Sequence, residues 1–270
     1  MSPSWRDRWR IGLSPGRVAV LRFRRGLRPA LAADRVRDCD DIAGPAWRGA
    51  LAALEALLAE MDAGGGQADV ALSNQFVRYV EVPWTDGVIA DKDRRALAAD
   101  CFRAVHGEAV AGWQVTCAAA RFGSASLAAA VDQALVEELR ALLAGRRLRL
   151  GSLRPHLATA FDAACGQLRD DDGGLGVVEP GCVTALFRRG GQWTAVTNRR
   201  YRGDEAAAMA SLGQCLDGDR LQGGEGALAL LAPGAAIDAD VIGGRPLRRL
   251  AGLTGPWPDD PWRALAWSAA

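Results

Sequence analysis

Three short strands, a helix and a further strand occur in that order twice along this chain. That recurrence restricts the fold more than any single motif does. In the first copy, residues 9–13 read as a strand, Ser14-Pro15-Gly16 as a tight turn, 17–23 (RVAVLRF) as an alternating second strand and 27–31 as a third. A helix follows at 45–61, opened by Pro45 and striped by Leu51, Leu54, Leu57 and Leu58, and Gly64-Gly65-Gly66 stops it. Residues 68–84 (ADVALSNQFVRYVEVPW) then read as two strands broken at Ser73-Asn74-Gln75, and Pro83 ends the run because it has no N–H to give a ladder.

The second copy is shorter. Strands are expected at 175–178, 182–187 and 192–197, joined by Glu179-Pro180-Gly181 and Gly190-Gly191. Asp204 caps a helix to Leu216, and strands follow at 227–231 and 246–250. The halves share an order of elements and no useful residue identity.

Between the copies lie a helix at 91–106 striped by Leu97, Cys101, Phe102 and Val105, and a hairpin of 113–121 with 126–131 closed by Phe122-Gly123-Ser124. Asp132 caps a further helix striped by Leu135, Leu139, Leu142 and Leu143 and ended by Gly145, before a strand at 148–153 and a helix at 156–168. The polar run 169–174 (RDDDGG) marks a boundary. These elements give a first lobe at 1–168 with an insert at about 85–150, and a second, reduced lobe at 175–270 ending in a Trp/Pro-rich tail.

Composition narrows the chemistry. The formal net charge is +1, so no bulk field draws nucleic acid or acidic lipid, and no nucleic-acid partner is expected; a nucleic-acid-binding protein exploiting its many arginines stands as the lesser alternative. Nearly every basic residue is arginine. The one lysine, Lys92, follows no Gly-rich loop, which removes a P-loop. Two histidines, His106 and His156, argue against a histidine metal site, and six cysteines without a C-x-x-C pair read as reduced, buried thiols of a cytoplasmic protein. No leader is visible in the charged first ten residues, and no apolar run approaches the ~18–20 residues of a membrane span. Ser14, Ser73 and Ser211 lack a G-x-S-x-G context, so serine hydrolysis is not supported. Asp170-Asp171-Asp172 lacks the spacing of a calcium loop, and the clusters at Arg146-Arg147 and Arg199-Arg200 read as solvated faces.

The order of pieces resembles the actin-like fold, an α/β architecture of two ribonuclease H-like lobes. Within it the chain is most similar to PilM of type IV pilus assembly and to the cytoplasmic domain of GspL of type II secretion. The pieces are the strand segment ending VEVPW, an amphipathic helix leading to Trp113-Gln114-Val115, Arg154-Pro155-His156-Leu157 where the family has an EP-x-A-L helix, and the hairpin VVEPGCVTALFRRGGQWTAV. The resemblance implies a cytoplasmic component of an inner-membrane assembly, held at the membrane's inner face through the cytoplasmic tail of a single-span partner protein. It leaves room for oligomers.

It also implies ATP with Mg²⁺, held where tight turns present backbone N–H groups and an aspartate organises the ion. Carried onto this chain, the nucleotide-binding positions are Ser14, Gly16, Glu179, Gly181 and Gly234. Their condition is poor. The family's aspartate falls on Gly12 and its glycine on Ser14, no carboxylate lies between Asp7 and Asp34, and Pro15 removes an N–H. Glu179 stands at the second aspartate position, and Leu231-Ala232-Pro233-Gly234 replaces a usual Gly-Gly pair. The plainer reading is that these are ordinary turn residues, and it weighs more: a pseudo-ATPase and scaffold with no catalytic residues, against the alternative of a working actin-like ATPase. For the partner, Arg78, Tyr79 and Trp84 are the candidates, on a strand where an extended peptide could add to a sheet edge. The tail carries Trp257, Trp262 and Trp267, either packed back on the protein or offered to a partner.

Overall fold

The computed structural model describes residues 7–24, 26, 30–88, 90–119, 122–168, 172–221, 223–235, 237 and 240–269. Part of the strand expected at 27–31, the end of that at 113–121, and residues 169–171 of the boundary at 169–174 lie outside them. The chain divides into two units. One holds residues 1–76, 134–163 and 252–270, and the other holds 77–133 and 164–251.

In the first unit the opening strands are β1 (Arg8–Leu13), β2 (Arg17–Arg24) and β3 (Ala30–Asp38). The third strand runs on to Asp38, past the end that its sequence suggested at Leu31. Helix α1 (Trp47–Glu60) buries Leu51, Leu54, Leu57 and Leu58 and packs on β2 and β3. Strand β4 (Gly66–Leu72) runs parallel to β1, and β8 (Leu148–Pro155) runs parallel to β4. The sheet order is β3-β2-β1-β4-β8. Helix α3 (Gln133–Gly145), which buries Leu135, Val136, Leu139 and Leu143, feeds β8. These residues were expected in an insert reaching about 150. They fall in the first unit because β8 completes its sheet.

The chain's end behaves in the same way. Residues 252–270 belong to the first unit, not to the lobe that precedes them. They form α6 (Pro261–Trp267), which packs on β1, β2 and β4. Asp260 caps this helix, its carboxylate accepting from Trp262 N–H and Arg263 N–H, and Pro261 sits in the first turn, where a missing N–H costs nothing. Arg263 pairs with Asp34 at 2.6 Å. At the other end, Arg10 donates to Trp267 O at 3.2 Å, with its guanidinium 4.7 Å from the Phe23 ring and 4.8 Å from the Trp267 ring. A cation at a helix C-terminus and over two aromatic faces is favourable on both counts. The three tail tryptophans thus pack within the first unit, alongside Ala19, Leu21 and Phe23.

The second unit repeats the pattern. Strands β9 (Gly173–Glu179), β10 (Cys182–Arg189) and β11 (Gln192–Arg200) are antiparallel neighbours. Helix α5 (Glu205–Leu221) follows, then β12 (Leu228–Leu231), parallel to β9, and β14 (Arg245–Arg249), parallel to β12. A two-residue strand, β13 (Val241–Ile242), is added at the edge, so the order reads β11-β10-β9-β12-β14-β13. Strand for strand, β3-β2-β1-β4-β8 and β11-β10-β9-β12-β14 are one arrangement used twice. A buried cluster of Val183, Ala185, Phe187, Leu212, Leu216, Leu228 and Leu230 joins α5 to this sheet.

The same unit contains a three-stranded sheet, β5-β7-β6, made of β5 (Val77–Val82), β6 (Trp113–Cys117) and β7 (Ser126–Asp132). It is backed by α2 (Asp91–His106), whose Ala98 and Phe102 are buried with Val82, Val110, Ala128 and Ala130. Val105, expected on that stripe, is 70 % exposed. Among the described residues no helix is long and apolar enough to cross a membrane.

Candidate functional site

The first candidate turn, Ser14-Pro15-Gly16, joins β1 to β2. Its polar groups are turned on one another. Ser14 Oγ donates to Arg17 O at 2.6 Å and accepts from Arg17 N at 3.3 Å. Gly16 O accepts from Cys39 N at 3.0 Å, and Ser14 O from Cys39 Sγ at 3.5 Å. Burial, with Asp38 and Asp40 nearby, pushes the Cys39 thiol up to about 11.

Gly12, where an aspartate would be needed, is closed. A Cβ there would meet Ala266 N at 2.7 Å, Ala266 Cα at 3.1 Å and Leu265 Cγ at 3.1 Å. The backbone of α6 occupies the space a side chain would use. By contrast, a Cβ on Gly16 meets nothing within 4 Å.

The second candidate turn, Glu179-Pro180-Gly181-Cys182, joins β9 to β10 with Glu179 paired to Cys182. Gly181 has φ 82°, the value a type II turn needs after proline. Ala232-Pro233-Gly234-Ala235 is built alike, with Gly234 at φ 73° and Ala235 N donating to Ala232 O at 3.3 Å. Both glycines are thus explained by turn chemistry. The groups present in the first turn do not fit a magnesium-nucleotide. The N–H of Arg17 is spent on Ser14, Pro15 has none, and the carboxylate position cannot hold a side chain.

Glu179 itself is buried among the tyrosines Tyr79 and Tyr201 and the thiol of Cys182. Burial, then Glu179 and Cys182, raises the Tyr79 phenol well above its ordinary value. The Cys182 thiol is pushed up to about 12, chiefly by burial and next by Glu179. Tyr201 Oη donates to Glu179 O at 2.9 Å, and its backbone N–H donates to Gly181 O at 3.1 Å. Cys182 Sγ donates to Asn198 Oδ1 at 2.8 Å, and Asn198 Nδ2 donates to Val77 O at 3.2 Å, which ties β11 to β5. Two residues read as parts of different sites, Glu179 and Tyr79, therefore meet in one polar cluster. Asn198, which sequence reasoning passed over, links its two sheets.

The partner candidates do not converge. Alternation along β5 puts Arg78 and Tyr79 on opposite faces. Arg78 lies on the α2 side, its guanidinium 4.3 Å from the centre of the Trp113 ring, and burial followed by Arg200 lowers its pKa. Trp84 lies beyond the strand. Its indole N–H donates to Asp86 Oδ1 at 3.1 Å, and its ring meets Phe122 edge-on at 4.7 Å. Phe122, read only as a turn residue, is 84 % exposed.

With this geometry in hand, the chain can be set beside known proteins. No family model matches it, and no curated protein sequence matches it. Solved structures do. The cytoplasmic domain of EpsL, an inner-membrane component of the type II secretion system of Vibrio cholerae, is similar at TM-score 0.62 and 12 % identity, over 97 % of this chain and 94 % of that one. A chain of the PilM-PilN type IV pilus biogenesis complex is similar at TM-score 0.64 and 16 % identity, over 96 % of each. A Bacteroides thetaiotaomicron protein with an actin-like ATPase fold and unknown function is similar at TM-score 0.60 and 9 % identity, over 97 % and 96 %. The fold is the actin-like one, a two-lobed α/β architecture, as the repeated element order led one to expect.

Proposed function

We propose that the chain is a non-hydrolysing actin-like scaffold of a pilus- or secretion-type assembly, working at the inner face of the inner membrane. Its partner in this reading is the short cytoplasmic tail of a single-span membrane protein. The likeness over nearly the whole chain to EpsL's cytoplasmic domain and to a chain of the PilM-PilN complex supports the setting. The observation that carries the "non-hydrolysing" part is the closure of Gly12 by the backbone of Ala266. Without a carboxylate there, Mg²⁺ loses the oxygen ligand that would position it.

Fluorescent ATP analogue with Mg²⁺, alongside phosphate release, tests this. No saturable binding and no release are expected from the wild type or from Glu179→Ala. Hydrolysis that disappears in Glu179→Ala would instead establish a working ATPase. For the partner, Arg78 and Trp84, the latter with Phe122, carry the proposal, because they offer a cation and exposed aromatic area on and beside β5. Tail peptides of single-span membrane proteins encoded beside this chain are the probes. Unchanged binding by a well-folded Arg78→Ala/Trp84→Ala double variant removes this surface from consideration.

A further inference from the structure

The strands at the ends of the three sheets are β3 and β8, β11 and β13, and β5 and β6. An edge strand presents unpaired main-chain N–H and C=O groups, and proteins guard such edges with charge, proline, bulges or brevity. All of these strands but one are guarded. β3 carries Arg35 and Arg37, β8 carries Arg154 and Pro155, and the ladder of each to its neighbour is broken by a register shift. β11 ends in Arg199 and Arg200 and is shifted too, β13 has two residues, and β5 carries Arg78 and Glu81. β6 has none of these devices. Its sequence, WQVTC, is uncharged and rich in aromatic and β-branched residues, and its register with β7 is unbroken.

The phase of the hydrogen bonds fixes what this edge offers. Ala118 N donates to Leu127 O at 2.8 Å, in register with the β6–β7 ladder, so Thr116 and Gln114 also point their main-chain groups at β7. Val115, Cys117 and the carbonyl of Trp113 point the other way. Among the described residues no main-chain partner meets them there. The Trp113 N–H is spent on Val110 O. The Trp113 ring packs on Phe102 and His106, with ring centres 6.0 Å and 5.1 Å apart, which places the last turn of α2 at the start of β6. Gln114 and Thr116 are exposed, so their side chains reach solvent on the face away from α2.

We propose that β6 pairs with β6 of a second copy of this chain, antiparallel about a two-fold axis at Val115. The strand is its own complement. Val115 exchanges both bonds with its counterpart, and on each side the Cys117 N–H reaches the Trp113 carbonyl, so about four main-chain bonds form. On the α2 face the valines meet and Trp113 meets Cys117. On the other face the Gln114 amide lies opposite the Thr116 hydroxyl. The two α2 helices run antiparallel on one face of the joined sheet. The acidic first turn of each, with Asp91 and Asp93, then lies toward the basic last turn of the other, with Arg103 and His106. An uncharged strand carries nothing to select a charged peptide, whereas it matches itself. A five-residue ladder makes a small interface, of the reversible kind. Because β7 separates this edge from β5, the pairing stands apart from the surface proposed for the membrane-protein tail.

Sedimentation velocity of the intact protein over a concentration series is the test, and a reversible monomer–dimer equilibrium is expected. Val115→Pro removes the outward N–H and leaves the β7 ladder intact, since that N–H does not serve β7. Losing one bond from each copy should raise the dimer Kd about tenfold or more. Thr116→Lys guards the edge with charge and should act in the same direction. Thermal melts run in parallel, and should Val115→Pro fail to fold, the exposed Thr116→Lys decides the matter. Register is read by mixing the Gln114→Cys and Thr116→Cys variants under oxygen with a copper catalyst, because directly opposite residues of a non-hydrogen-bonded pair lie close enough for a disulfide. Peptide mapping should find a crosslink between positions 114 and 116 in the mixture and far less in either variant alone. A monomer at every concentration, a dimer indifferent to both edge variants, or growth beyond the dimer would each overturn the proposal. So would a mixture that crosslinks only through its native thiols.

Discussion

Replacing Gly12 by alanine probes the contact on which the functional reading turns. The added Cβ would lie 2.7 Å from Ala266 N and 3.1 Å from both Ala266 Cα and Leu265 Cγ. The nearest two atoms are helix backbone, so a change of rotamer cannot relieve the clash. Only a shift of α6 can, and α6 is fixed at one end by Arg263 to Asp34 and at the other by Arg10 to Trp267 O. Overpacking of this kind costs about 1–3 kcal/mol. For a domain of this size each kcal/mol lowers the melting temperature by roughly 2–4 °C, so a fall of about 2–12 °C is expected. Gly16→Ala in the same hairpin is the control. Nothing lies within 4 Å of its Cβ, and it should stay within about 0.5 kcal/mol of wild type. Adding Leu265→Ala to Gly12→Ala should not restore stability, because the backbone contact remains. Near-UV circular dichroism melts of the four proteins would settle it. If Gly12→Ala melts with Gly16→Ala, α6 does not sit on β1 in solution, and the argument against a carboxylate at this position fails.

Other expectations follow from particular contacts. Asp219 and Arg245 form a buried pair at 2.5 Å, so Asp219→Ala should cost about 3–5 kcal/mol in urea unfolding by stranding the guanidinium, and an Asp219→Leu/Arg245→Met double variant should recover most of it. The thiols of Cys39 and Cys215 (each about 11) and Cys182 (about 12) are raised, so at pH 8 they should resist iodoacetamide while the exposed Cys165 reacts first, as peptide mass mapping would report. Because those folded values lie above the ordinary 9.0, their contribution to stability is complete below about pH 9 and declines as pH rises through 11 to 12; a melting temperature flat across that window would contradict it. Tyr79→Ala should destabilise by roughly 3–5 kcal/mol through the Glu179 cluster, whereas Trp84→Ala and Phe122→Ala should leave the melt nearly unchanged.

Local chemistry made much of the architecture legible. The α1 stripe, the Pro180-Gly181 turn and the Gly145 stop encode their elements within a few residues, and the repeated order predicted the repeated sheet. What the sequence hid was partnership over long separations. That β8 completes the first sheet depends on its pairing with β4, some eighty residues away, and nothing in Leu148–Pro155 says so. Helix α6 was hidden differently. Its signal was present in Asp260-Pro261, an N-cap followed by proline at the first turn, but the density of Trp and Pro made the stretch read as a tail. The candidate site suffered most. Arg78 and Tyr79 are adjacent in sequence and therefore on opposite faces of a strand, while Trp84 found its partner in Phe122, a residue with only turn signals around it.

The two candidate turns also differ in what replaces a ligand. In the first, Ser14, Arg17 and Cys39 satisfy one another, and α6 fills the space over Gly12. An anion entering there would have to break the Ser14–Arg17 contacts, each hydrogen bond worth about 0.5–1.5 kcal/mol net, and to displace a helix anchored at both ends. In the second turn the carboxylate persists, but two tyrosines and a thiol enclose it, and Asn198 uses the same neighbourhood to bind β11 to β5. A carboxylate so enclosed orders its own unit. Its removal should therefore register first as a change in how β5 is held, and β5 is the strand that carries Arg78 and leads to Trp84. On this reasoning Glu179 serves β5, the strand proposed to face the partner, through structure, with no nucleotide needed to connect them.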